Sequence, residues 1–173
     1  MLGHATRFIP IINALLKANY EPILASDGDA LLLLQKEFPL LQSVELPSYN
    51  ITYPKHRKNL TFKLLLQIPS IISASKKERK IVSLLIEKEH ISGIISDNRF
   101  GVFSKKVPSV YITHQLNVLS GKSTFITSEI HQQLIKKFDE CWVPDTEGIP
   151  NFSGVLGHLK KHHFNLKYIG ILS

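Results

Sequence analysis

The 173-residue sequence holds one cysteine, Cys141, which excludes an internal disulfide. Its setting, "DECWVP", reads as a small buried hydrophobe, and such a chain suits a reducing compartment, the cytoplasm. No run reaches the ~18 uninterrupted apolar residues that a spanning helix needs. No charged n-region stands ahead of an apolar h-region, so secretion is not expected. The chain has no internal repeat, no low-complexity tract and no G-x-G-x-x-G dinucleotide fingerprint. His158, His162 and His163 in "HLKKHH" have no cysteine or carboxylate close in sequence. They read as a solvated basic loop, and no metal is expected.

What is in excess is positive charge. A formal net charge of +7 favours anionic partners: nucleic acid, anionic lipid or phosphorylated substrates. The 43% hydrophobic and 20% charged content is that of an ordinary globular protein, and the length fits one domain.

Phe8, Ile11, Ile12, Leu15 and Leu16 recur at helical spacing between Thr6 and Asn19. Pro10 is compatible with this helix in its first turn, which places the start at or just after Arg7 and leaves Gly3-His4 in a preceding loop. Asn19 supplies the stop. "EPILASDG" reads as a short buried strand leading into a helix through Leu34 and Phe38, and "SVELPSY" as another strand. "NLTFKLLLQIPSIISASKKERKIVSLLIEKEH" carries one or two helices, with a bend expected at Pro69. "ISGIISD", "VPSVYITH" and "DECWVP" are further buried strands, and "KYIGILS" a last one. Continuous apolar strands alternating with helices predict an α/β fold, a doubly wound Rossmann-like parallel sheet in a single domain. No strand is seen ahead of "LGHATR", so the first strand of such a sheet is expected to be lacking.

In such sheets ligands bind beyond the carboxyl ends of the strands. "LGHATR" offers Gly3 for close backbone approach and His4 as a proton acceptor, against the simpler reading of a plain turn. "SDNRFG" offers Asn98 and Arg99 as forked donors, against a helix cap and a solvated arginine. "THQLN" sets His114, Gln115 and Asn117 after the following strand. Asp145 and Glu147 in "VPDTEG" read as an ordinary turn. Basic residues gather between Lys55 and Lys80, with Glu78 the one acid among them. Lys58, Phe62, Lys63, Leu66, Lys76, Lys77 and Lys80 would form a face for anionic lipid, and a core helix is the competing reading. Nucleic acid is not expected, for want of a regular aromatic platform.

Together "GHATRFIPIINALLKANYEPILASDGDALLLLQKEFP", "GIISDNRFGVFSKKVPSVYITHQLN" and "KYIGILS" resemble the amino-terminal half of a GT-B glycosyltransferase. The likeness is strongest to bacterial relatives of the peptidoglycan lipid-intermediate N-acetylglucosaminyltransferase. It implies that residues 1–173 are an acceptor-binding half whose donor-binding domain is absent, with no turnover alone. It implies transfer of a sugar of N-acetylglucosamine type from a UDP-sugar, a co-substrate, to a hydroxyl of a lipid-linked or glycan acceptor. It also implies that neither a metal nor another cofactor takes part. His4 is then the general base or oxyanion contact, and Gly3, Thr6, Asn98, Arg99, His114, Gln115 and Asn117 line the acceptor side. The donor part would come from a further domain or a partner chain, with the protein on the cytoplasmic membrane face. The alternatives are a non-catalytic, membrane-peripheral scaffold that recruits such a partner, and a free-standing nucleotide-binding domain.

Overall fold

The computed structural model describes residues 2–49, 60–119, 124–159 and 161–172, with the backbone alone for 60–68. The chain is an α/β protein with parallel sheets, and it divides into two compact units, Met1–Ser48 with Leu172–Ser173, and Tyr49–Ile171.

The first unit contains α1 (Leu2–Lys17), β1 (Leu24–Ser26), α2 (Gly28–Glu37) and β2 (Ser43–Glu45). β1 and β2 pair in parallel, Ala25 opposite Val44. Ala5 and Ile12 of α1 bury against Leu24, Ala30 and Leu34 with Phe8 packed beside them, so Phe8 and Ile12 of the predicted apolar stripe join this core and Ile11 is buried, while Leu16 at its end is exposed. Each fully buried leucine or isoleucine side chain of this kind contributes about 1.5–3 kcal/mol. α1 ends as expected: Asn19 takes φ 61°, its N–H bonds to Leu16 O, and the Tyr20 N–H reaches back to Leu15 O. A left-handed residue followed by this bond pair satisfies the orphan carbonyls of the last turn.

The start of α1 differs from the sequence expectation. Gly3 and His4 stand inside the helix, and Pro10 lies in its interior rather than its first turn. Pro10 costs the helix one N–H bond, but the buried stripe continues on both sides of it and holds the helix together. Gly3 and His4 are therefore not a loop beyond a strand.

The second unit contains α3 (Leu60–Glu89), β3 (Ile94–Asp97), β4 (Ser109–Ile112), α4 (Thr124–Ile135), β5 (Glu140–Val143) and β6 (Leu166–Tyr168). α3 is one helix that continues through Pro69. The four strands are all parallel, in the order β3-β4-β5-β6. The β3–β4 crossover, residues 98–108, contains no helix. The core gathers on one side of this sheet: Phe103, Tyr111, Leu116, Ile135, Phe138, Cys141 and Val143. Burial pushes the Cys141 thiol up to about 12, the behaviour of a packing residue rather than a nucleophile.

Candidate functional site

Because β3, β4 and β5 run parallel, Asp97, Ile112 and Val143 end at one edge of the sheet, and the three loops that follow gather there.

The loop after β3 is fixed from below by Glu78 of α3, whose side chain is fully buried (0% exposed). Its Oε1 accepts from Arg99 Nε at 2.6 Å, and the Arg99 side chain is itself only 15% exposed. Its Oε2 accepts from the Tyr49 hydroxyl at 2.5 Å and from the Gly101 N–H at 3.0 Å. Tyr49 Oη in turn accepts from the Phe100 N–H at 3.0 Å, while the Arg99 guanidinium lies 5.3 Å from the Tyr49 ring centre. Burial, and then the hydrogen bond to Glu78, push the Tyr49 phenol well above its ordinary range, so it stays a donor. A buried carboxylate needs this many partners, since an uncompensated one costs several kcal/mol. Position 101 has to be glycine: a Cβ there would stand 2.2 Å from Ser75 O and 2.5 Å from Glu78 Oε2.

Held this way, the loop presents Asn98 in the left-handed region, φ 52°, directly after the strand. Asn98 Oδ1 accepts from the buried Tyr111 hydroxyl at 3.3 Å. Burial first, then the charge of Asp97, raise the Tyr111 phenol well above its usual value. The His131 ring of α4 meets Phe100 and Tyr111 edge-on, at 5.7 and 6.4 Å between centres. Burial lowers its pKa, a hydrogen bond to the Gln115 backbone acts the other way, and Nε2 is buried without a partner among the described residues. Sequence reasoning passes over His131 because it lies inside a helix rather than at a strand end.

The loop after β4 exposes His114 and Gln115. Asn117 turns the other way: its Nδ2 donates to Val155 O at 2.6 Å and its N–H to Leu156 O at 2.9 Å. It braces the loop after β5 and has a structural role. That loop is organised by Asp145, 1% exposed, which accepts from the N–H groups of Thr146, Phe152 and Ser153 and from the Ser153 hydroxyl. Burial alone would raise its pKa, but these donors outweigh it and hold the carboxyl well below the usual carboxylate range. His158 closes the same loop by stacking on Tyr168 at 4.9 Å. The turn reading of "VPDTEG" is thereby explained.

The five expected residues Asn98, Arg99, His114, Gln115 and Asn117 thus belong to one sheet edge, although Arg99 and Asn117 are tied into its framework. Gly3, His4 and Thr6 belong to α1 of the first unit. Thr6 Oγ1 donates to Gly3 O at 3.1 Å, and His4 Nδ1 lies 2.9 Å from Arg7 Nη2. A guanidinium only donates, so His4 Nδ1 accepts there, and a neutral ring then carries its proton on Nε2. Such a ring suits donation to a developing oxyanion, and to act as a base it must first release Arg7.

Lys76, Lys77 and Lys80 are exposed on α3. Lys58 lies outside the described residues, as do the side chains of Phe62, Lys63 and Leu66. Among the described residues no group of three His, Cys, Asp or Glu side chains could hold a metal, and no helix is long and apolar enough to cross a membrane. Fold and site edge define an α/β protein with parallel sheets. No protein-family model matches the chain, and neither a curated protein nor a solved structure does.

Proposed function

We propose that the chain is the acceptor-binding half of a GT-B glycosyltransferase with a Rossmann-like, doubly wound fold. The complete enzyme moves a sugar from a UDP-sugar to a hydroxyl of a lipid-linked acceptor. The observation that carries this reading is the composition of the carboxyl edge in the second unit. Polar Asn98, His114 and Gln115 stand at strand ends, while exposed Leu119, Phe125, Phe152 and Val155 belong to the segments that adjoin them. Hydrogen-bonding groups bordered by apolar surface suit an amphipathic sugar lipid better than a free nucleotide, whose phosphates want glycine-rich backbone or cations. A donor-binding domain or partner chain supplies the UDP-sugar site.

The test is titration of the full chain with a short-tailed polyprenyl-diphosphate N-acetylglucosamine and, separately, with UDP-N-acetylglucosamine, following backbone amide resonances. The lipid sugar is expected to move the amides of Asn98 and of residues 114–117, and His114→Ala to weaken binding about tenfold, one lost polar contact. The nucleotide sugar is expected to move none of them. Saturable binding of UDP-N-acetylglucosamine with no response to the lipid sugar would overturn the proposal in favour of a nucleotide-binding domain.

A further inference from the structure

A pocket of about 200 Å³ opens between α3 and the β3–β4 crossover, lined by Arg79, Ser83, Phe103, Ser104, Lys105 and Lys106. It lies beside Ser109, the first residue of β4, and so at the opposite sheet edge from the loops described above. We propose that this pocket is a binding site for a phosphoryl group.

The argument rests on how its charges are held. Three cations line the pocket and no carboxylate does. The Arg79 guanidinium is pinned by the face of the buried Phe103 ring, 4.3 Å from its centre, and has no ion pair among the described residues. Lys105 Nζ donates to the Lys137 carbonyl at 3.0 Å, again with no acid. Only Lys106 has a carboxylate, Glu87 at 2.7 Å, with both side chains about 60% exposed. A pair of that kind exchanges readily for a better anion.

The turn that carries the two lysines is fixed in advance. The Ser104 N–H donates to Ser109 Oγ, the Lys106 N–H donates to Ser104 Oγ, and Ser109 Oγ donates to Ser104 O. Asp139 anchors the same Ser109 through its N–H at 2.8 Å. Arg79 and Lys105 are thus held by an aromatic face and a carbonyl, and Lys106 alone of the three by an exposed carboxylate, so an anion of high charge density completes the balance. A guanidinium, two ammonium groups and two hydroxyls are the donor set that phosphoryl oxygens take. Lys76 and Lys80 lie on the same side of α3 as Arg79 and Ser83, at three- and four-residue spacing, and extend the field beyond the pocket.

The phosphoryl group can belong to a soluble phosphate or to a lipid head, and the experiment separates them. The full chain is titrated with pyrophosphate at low ionic strength and, in a second arm, floated with phosphatidylcholine vesicles with and without phosphatidylglycerol. Pyrophosphate is expected to move the amides of Ser83, Ser104 and Lys105 saturably. Arg79→Gln and Lys105→Gln should each weaken this about tenfold, the loss of one charge-assisted contact. Lys88→Gln, nine residues and so about two and a half helical turns from Arg79 on α3, removes equal charge and should leave it unchanged. A response to pyrophosphate that vesicles do not share assigns a soluble ligand. Flotation that depends on phosphatidylglycerol and on Arg79, without saturable pyrophosphate binding, assigns a lipid head. Loss of binding in Lys88→Gln equal to that in Arg79→Gln, or silence in both arms, overturns the proposal. None of these readouts depends on the acceptor site, so the two proposals fail separately.

Discussion

Glu78 and Asp145 are both buried carboxylates beneath loops at the same sheet edge, yet they are satisfied by opposite means. Glu78 is answered by a cation and a phenol that come from residues 21 and 29 positions away. Asp145 is answered almost wholly by N–H groups and a hydroxyl from the next eight residues. The first arrangement joins separate parts of the unit, a helix, a loop and the segment at Tyr49. The second shapes one loop from within. A distant charge partner fixes where a loop stands, whereas local donors fix only what shape it has.

The largest expected effect comes from breaking the distant arrangement. Glu78→Ala removes the buried carboxylate that Arg99, Tyr49 and the Gly101 N–H share, and should cost about 3–5 kcal/mol in urea denaturation. A loss under about 1 kcal/mol would put this pair on a level with an exposed one and erase the contrast. Asp145→Asn is expected to cost less, about 1–3 kcal/mol, since backbone donors lose part of their acceptor. It should also change the pH dependence. The folded-state pKa of Asp145 is depressed, so its stabilisation is full above the ordinary carboxylate range and is lost as pH falls below it. Denaturation midpoints of the native chain should therefore fall between about pH 5 and pH 2 more steeply than those of Asp145→Asn. Parallel slopes would show that Asp145 does not carry the loop.

The smallest effect is expected at Asn98. Asn98→Gly relieves the left-handed strain but gives up the Tyr111 bond, and these nearly cancel, within about 1 kcal/mol. Asn98→Val, which keeps neither the bond nor an easy φ, should cost about 1–3 kcal/mol. Equal thermal midpoints for the two variants would mean that the loop can adopt another backbone path.

The elements were legible wherever burial on both faces writes itself as an apolar run: β3 from "ISGIISD", β4 from "VPSVYITH" and β5 from "DECWVP". The end of α1 at Asn19 was legible for a similar reason, since few residues accept φ 61°. Its beginning was not, because Pro10 marks a first turn in most helices and here does not. At the site, strand ends pointed correctly to Asn98, His114 and Gln115 as residues of one edge. They gave no warning that Arg99 and Asn117 serve the framework. Glu78 was least legible of all: in "KKERK" it is the lone acid in a basic run, a position that suggests a solvated face. A helix shows its two neighbours to water and its own side chain to the interior, and only the third dimension tells them apart.

The close approach at Gly101 turns this arrangement into a written signature. A tyrosine 29 residues before a glutamate, an arginine 21 after it and a glycine 23 after it form one set. A chain that carries all four at these separations on the same helix, strand and loop can close the same knot. One with a side chain at the glycine position must build its loop by another route.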